Sequence, residues 1–223
     1  MQVQNHKSIK FFFWPAIYLV SAVGIAVLTQ VIFNARYYSN FYVSGESMSP
    51  TLNGDANDAD YGTYDGHPSA IKNAKRFQIV TTHFPSERHI SSEDKTLKIK
   101  RLLFKPGDTF EVAYVKNDSG TYYNEVRLFN SVSSFDYRVI DLPYSISHIK
   151  EDHSYPKTTL SKNQYFVAGD NWDKSYDCFD FGPLEYEDLV GLVTKVEGRC
   201  RVVDKKITDK RPYAVKLFNG VDY

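Results

Sequence analysis

The chain has 223 residues, with 27 basic and 27 acidic side chains and a formal net charge of zero. A charged fraction of 24% and an aromatic fraction of 15% argue against a disordered chain, and the balanced charge argues against a general nucleic-acid binder. The length suits one large domain or two small ones. Two cysteines, Cys178 and Cys200, are too few for a disulfide scaffold or a four-cysteine zinc site, and one disulfide between them stays open.

An apolar segment near the N-terminus predicts a transmembrane anchor. Residues 11–33 contain no charged side chain, and about 20 helical residues suffice to cross the hydrocarbon core. A helix beginning at residue 11 would carry Pro15 in its first turn. A cleavable signal peptide would have a shorter apolar region, followed by a small-x-small site that is absent here. Lys7 and Lys10 before the segment, against Arg36 after it, predict that residues 1–10 are cytoplasmic and that residues from about 37 onward are extracytoplasmic.

The rest of the chain predicts a mostly β domain over residues 37–223, built from antiparallel sheets. Short runs rich in β-branched and aromatic residues alternate with Gly, Pro, Asn and Asp, and no sustained helical period appears. The stretch from about 116 to 163 is more polar and is interpreted as an inserted β subdomain. The predicted strands are 77–82, 97–103, 109–115, 125–129, 137–140, 164–169 and 189–196.

A serine-containing segment, residues 44–52 (SGESMSPTL), follows the anchor closely. Gly45 and Pro50 can hold Ser47 on a constrained turn whose backbone N–H groups face a substrate carbonyl. A glycine two residues before a serine is, by itself, more typical of an ordinary polar turn.

A lysine-containing strand, residues 97–108 (LKIKRLLFKPGD), ends at a Pro-Gly turn. Strand alternation places Lys98 and Lys100 on one face and Arg101 on the other. A lysine on a strand is usually solvated at a sheet edge. It can serve as a general base if desolvation lowers its pKa far below about 10.4. A Ser–Lys pair is an established alternative to the Ser–His–Asp triad.

A third segment, residues 169–184 (GDNWDKSYDCFDFGPL), concentrates acidic and amide side chains. Such a loop can simply bond its own backbone. It can also hold the groups that orient a base. The polar residues that support either interpretation are Asp170, Asn171, Asp173, Ser175, Asp177 and Asp180.

Together, the anchor and the three segments, in this order, resemble type I signal peptidases, the membrane-anchored Ser/Lys endopeptidases that remove signal peptides. The resemblance implies that Ser47 is the nucleophile, with its backbone N–H in the oxyanion hole, and that Lys100 is the general base. It implies that Ser175 orients the lysine and that Arg101 forms a supporting ion pair with Asp170.

The chain departs from the family pattern at several of these positions. Gly45 stands where some relatives carry a hydroxyl, which implies that backbone donors alone bind the oxyanion. Cys178 and Phe179 replace the usual Ser-Arg, so Asp177 loses its expected arginine neighbour and its role is left undetermined.

The resemblance also implies substrates, surroundings and chemistry. Preproteins would be cut after small-x-small sites, beside a lipid bilayer, with the secretion translocon as a candidate partner. No metal, organic cofactor or nucleic acid is implied.

Several alternatives compete with this interpretation. A specialised relative would mature conjugative pilin or organelle precursors, as the Gly182-Pro183 pair suggests. An anchored binding protein that has lost activity would explain Phe179. A LexA-like self-cleaving repressor would need a DNA-binding domain where this chain has its apolar segment. Lys98 competes with Lys100 for the role of base, and the six histidines leave a Ser–His–Asp triad as a minor alternative.

Overall fold

The computed structural model describes residues 6–144, 151–215, 217 and 219–222. Residues 1–5 of the predicted cytoplasmic segment and residues 145–150 of the predicted insertion lie outside this part. The chain divides into two compact units, Met1–Tyr38 and Ser39–Tyr223.

The first unit contains one long helix, α1 (His6–Ala35). Every side chain from Trp14 to Phe33 is exposed, and this stretch of 20 residues is long and apolar enough to cross a membrane. A helix that is apolar on all sides is unfavourable in water and suits lipid. Because α1 begins at His6, Pro15 lies inside the helix, and its expected place in the first turn is wrong.

The described residues of the second unit form mainly strands, joined by turns and two short helices. The helices are α2 (Pro68–Lys72) and α3 (Cys178–Phe181). In chain order the strands are β1 (Tyr38–Tyr42), β2 (Ala59–Asp65), β3 (Ile79–Thr82), β4 (Lys98–Phe104), β5 (Thr109–Lys116), β6 (Tyr122–Phe129), β7 (Tyr137–Val139), β8 (Tyr155–Thr159), β9 (Gln164–Ala168), β10 (Leu184–Glu185), β11 (Leu189–Val203) and β12 (Lys206–Val215).

These strands form two sheets. The larger sheet has the order β1-β2-β11-β3-β4-β9-β10, and β12 pairs with β11. The smaller sheet has the order β7-β6-β5-β8, and its strands lie between Thr109 and Thr159. The pairings from β2 to β12 are antiparallel in both sheets. The predicted fold class, mostly antiparallel β after one apolar helix, is confirmed.

An aromatic core joins the two sheets. Phe110 of β5 stacks on Phe104 of β4 with ring centroids 3.8 Å apart, and its edge meets Phe166 of β9 at 4.9 Å. All three side chains are fully buried. Since strand β4 leads directly into β5, this stacking fixes how the smaller sheet packs on the strand that carries the lysines.

The two cysteines are free and buried. Cys178 belongs to the main core, whereas Cys200 packs with Ala59 and Tyr61 in a separate cluster. Cys178 and Cys200 therefore do not form a disulfide with each other in this structure.

We expect Phe110→Ala to lower the free energy of unfolding by about 3–5 kcal/mol, because it removes a ring from a fully packed core. The measurement is urea unfolding of the full chain in detergent, followed by near-ultraviolet circular dichroism. Phe135→Ala is the matched control, since that ring is 95% exposed. Equal destabilisation by the two changes would contradict the assigned core.

Candidate active site

The serine-containing segment forms a tight turn between β1 and β2. The N–H of Gly45 donates to the carbonyl oxygen of Gly54 at 3.2 Å, and Gly45 has φ +85°. Met48 and Leu52, each 1% exposed, anchor the turn in the core. Ser47 is half-buried and lines a pocket of about 720 Å³. The turn thus presents the serine to an open cavity while its flanks are held.

Lys100 of β4 lines the same pocket and is only 4% exposed. Its Nζ donates to Ser175 Oγ at 2.9 Å and lies 6.0 Å from the centroid of the Phe84 ring. Burial lowers the pKa of Lys100, and the charge of Asp177 opposes this shift. Two of the predicted residues, Ser47 and Lys100, therefore line one cavity, and the amine is directed by the third, Ser175.

Gly169, at the end of β9, allows the serine segment and the third segment to touch. A Cβ at this position would overlap the carbonyl oxygen of Ser47 and the Oγ of Ser175. Two residues later, the N–H of Asn171 donates to that same Ser47 carbonyl at 3.0 Å. Only glycine fits at this position, because the two segments leave no space for a Cβ.

The Asp177 carboxylate binds the Ser175 hydroxyl and is itself held by backbone N–H groups. Its carboxylate accepts from Ser175 Oγ, from the N–H of Gly169 at 2.8 Å and from the N–H of Phe179 at 3.1 Å. The last bond caps the start of α3. Asp177 therefore has hydrogen-bond donors without the arginine that the family pattern led us to expect. Burial raises its pKa in spite of these donors.

Arg101 and Asp170 form a buried, bidentate ion pair behind the lysine. Nε donates to Oδ1 at 2.6 Å and a terminal nitrogen donates to Oδ2 at 2.5 Å. The guanidinium also donates to the carbonyl oxygen of Phe77 at 2.6 Å and lies 5.0 Å from the ring centroid of Tyr144. The pair joins β4 to the residues after β9, and so fixes the spacing between the lysine and the third segment.

Phe84 and Tyr144 are supporting residues that the sequence did not point to. Phe84 precedes Pro85, and Tyr144 follows Pro143, in stretches with no periodic pattern. Both contacts are long-range in sequence. No signal in the local sequence could have found them.

Two carboxylates outside the pocket have structural partners. Asp58 pairs with Arg199 at 2.6 Å, and Asp60 accepts from the hydroxyl of Tyr213 at 2.7 Å, so these carboxylates bind the protein itself. Among the described residues that line the pocket there is no histidine. His148 lies outside the described residues.

One cluster elsewhere has the chemistry of a metal ligand set. Glu151, His153 and Asp173 bring one ring nitrogen and two carboxylate oxygens within 4.8 Å of one another. His153 Nε2 already contacts Asp173 Oδ1 at 3.0 Å. The cluster shares no residue with the pocket lining.

Comparison with known proteins identifies the family of the chain. Residues 16–196 match the family described as signal peptidase, peptidase S26. The chain is 26% identical over 189 residues to signal peptidase I V of Bacillus subtilis, which covers 83% of this chain and 98% of the relative. It is 29% identical to signal peptidase I of Bacillus caldolyticus, over 81% of this chain and 86% of the relative. It is 27% identical to the chloroplastic thylakoidal processing peptidase 1 of Arabidopsis thaliana, over 76% of this chain and 45% of the relative.

A mostly β peptidase with an apolar N-terminal helix is the class that these observations define. The chain belongs to the signal peptidase family, peptidase S26. The predicted resemblance is thereby confirmed.

We expect Asp170→Asn to destabilise the protein by about 3–5 kcal/mol, because it leaves the buried Arg101 charge uncompensated. Urea unfolding of the full chain measures the change. Asp222→Asn is the control, since Asp222 is half-exposed where it pairs with Lys105, and exposed pairs add little to stability. A loss no larger than that of the control would contradict the structural role of the buried pair.

Proposed function

We propose that the protein is a serine endopeptidase that removes signal peptides from exported preproteins, with Ser47 as nucleophile and Lys100 as general base. The observation that carries the proposal is the buried Lys100 amine, bonded to Ser175 inside a pocket that Ser47 also lines. The membership in the signal peptidase family and the names of the relatives support the type of substrate.

The mechanism begins with the unprotonated amine of Lys100. Its N–H bond to Ser175 fixes the direction of the nitrogen lone pair, which takes the proton from Ser47 Oγ. The serine oxygen bonds to the scissile carbonyl carbon, and the lysine returns the proton to the leaving amine as the peptide bond breaks. A water molecule, activated by the same lysine, then releases the acyl group from Ser47. Because burial lowers the pKa of Lys100, the required neutral amine persists to lower pH than that of an exposed lysine.

Backbone groups of the serine turn stabilise the developing negative charge. Gly45 offers no side-chain hydroxyl, so we assign the oxyanion to the backbone N–H of Ser47. The bond from the Asn171 N–H to the Ser47 carbonyl, together with the buried Met48, fixes the next peptide unit, Ser47–Met48, and so restrains Ser47 from its C-terminal side. A donor that is fixed beforehand needs no reorganisation during the reaction.

One part of the pocket lining is apolar. Phe41, Val43 and Ile99, all buried, line it together with Ser47 and Lys100. We propose cleavage after small-x-small sequences, which is the specificity that the family resemblance implies. No metal or organic cofactor takes part in the proposed steps.

The apolar helix supports a location in a membrane. We propose that the stretch Trp14–Phe33 of α1 anchors the protein in the plasma membrane of a bacterium, with the N-terminus in the cytoplasm and the β unit outside. Lys7 and Lys10 precede this stretch and Arg36 follows it, which favours this orientation. Preproteins would reach the enzyme as they leave the secretion translocon.

The alternative of an inactive binding protein arose from Phe179. That ring is half-buried against Trp172 at 4.6 Å and Phe166 at 5.3 Å, while its backbone N–H bonds to Asp177. The aromatic residue thus has a packing role beside the third segment. Since Asp177 keeps its hydrogen-bond donors, Phe179 is no longer a reason to prefer the inactive alternative.

We expect Ser47→Ala and Lys100→Ala each to abolish cleavage of a preprotein that carries an Ala-x-Ala site, while Lys98→Ala still cuts. The measurement is cleavage by the full chain in detergent, with wild type beside the three variants. Circular dichroism checks that each variant is folded. An active Lys100→Ala with an inactive Lys98→Ala would assign the base to Lys98. A wild-type protein that binds several preproteins without turnover would overturn the proposal in favour of a binding protein.

We expect Ser175→Ala to lower kcat by about 10²-fold with a smaller effect on KM, because the lysine amine loses the hydroxyl that directs it. Steady-state cleavage of the same preprotein gives both constants. The exposed Ser161→Ala serves as the control. A change confined to KM would show that Ser175 acts in binding and not in directing the base.

A further inference from the structure

Two lysines of β4 face one aromatic ring. Lys98 Nζ lies 5.4 Å, and Lys100 Nζ 6.0 Å, from the centroid of Phe84. The ring itself is 9% exposed and packs against Phe181 and Tyr176. Because residues two apart on a strand point to the same side, both amines line the pocket of Ser47.

The two lysines differ in their surroundings. Lys98 is half-buried, so its ammonium keeps access to water; it gains from the negative face of the Phe84 ring and from the Glu87 carboxylate, whose lowered pKa it helps to cause. Lys100 is 4% exposed and bonds to Ser175. Of the two, Lys98 is therefore the one that carries a positive charge at low cost.

The charge of Lys98 acts on Lys100 together with groups of the third segment. Burial is the main cause of the lowered pKa of Lys100; Asp177, Cys178 and Asp180 oppose it, and Lys98 adds to it. Like charges so close to one ring disfavour each other, most of all where solvent is excluded. Lys98 thus counteracts the carboxylates that would otherwise favour a protonated Lys100.

We propose that Lys98 is an electrostatic positioning residue for the peptidase reaction: its ammonium, held over Phe84 beside Lys100, favours the unprotonated amine that activates Ser47. The inference rests on the proposed function of the Ser47–Lys100 pair. It gives Lys98 a role in the site without making it a base, since the Ser175 bond directs only Lys100.

The first test is the pH dependence of kcat/KM for preprotein cleavage by the full chain in detergent. Without Lys98 the pKa of Lys100 should be higher. The rise of kcat/KM on the acidic side of the pH profile (its acidic limb) should therefore move to higher pH. We expect Lys98→Gln to lose about threefold or more at neutral pH and to approach wild type in the alkaline range, since a tenfold change in neutral fraction is one pKa unit. Lys98→Arg keeps the charge over the ring and should keep the limb of wild type.

Lys205→Gln is the matched charge control. Lys205 lies on the turn between β11 and β12 and lines the same pocket, so its removal also takes one positive charge from the cavity. Its acidic limb should stay in place. A uniform loss at every pH in Lys98→Gln, or an equal shift in Lys205→Gln, would overturn the inference, because the first indicates a structural role and the second a general charge effect.

A second test does not depend on turnover. In the Ser47→Ala background, acetic anhydride acylates only the unprotonated amine, releasing acetate, and mass spectrometry gives the acetylation of Lys100 at each pH. We expect the Lys98→Gln change to move this curve to higher pH. Equal curves would overturn the role of Lys98. An inactive wild type with shifted curves would instead contradict the proposed function while leaving the electrostatic coupling intact.

Discussion

The burial of the Lys100 amine is the constraint on which the rest of the site depends. A charged ammonium in that place would lose its hydration, so the surroundings must either pair it or favour its neutral form. The surroundings favour the neutral form. The direct partner of the amine is the hydroxyl of Ser175, where a carboxylate would have favoured the charge, and the Asp177 carboxylate is bonded to that hydroxyl and not to the amine. The neighbouring residue, Arg101, does have a charged partner: it forms an ion pair with Asp170 on the opposite face of β4. Strand alternation thus places the lysine that is proposed as the base and the ion-paired arginine on opposite faces of β4.

The close approach of the serine turn to the third segment limits which residues fit beside this lysine. The serine turn reaches the third segment where Gly169 leaves no room for a side chain. The missing arginine after Asp177, by contrast, is accommodated, because backbone N–H groups serve the carboxylate and Phe179 joins an aromatic cluster.

Much of the fold could be predicted from local pattern. Strands β3, β4, β5, β6, β7, β9 and β11 all overlap predicted runs, since each combines β-branched or aromatic residues with a flanking turn. Strand β12 was missed because it is charged and its described side chains are mostly exposed, so no apolar alternation marks it. Strand β8 was missed because Pro156 lies within it. At the site, motifs indicated Ser47, Lys100 and Ser175, whereas the contacts of Phe84 and Tyr144 arise from packing between distant segments.

The order of the site residues along the chain has a consequence for its synthesis and folding. Ser47 comes from the turn before β2, and Lys100 from β4, but the hydroxyl that directs the lysine and the glycine that admits the serine turn both come after β9. A chain emerging from the ribosome N-terminus first therefore exposes α1 and the serine turn before Gly169 and Ser175 have been made. In the proposed mechanism, the Ser47–Lys100 pair is therefore complete only after β9 and the segment that follows it have packed against the serine turn.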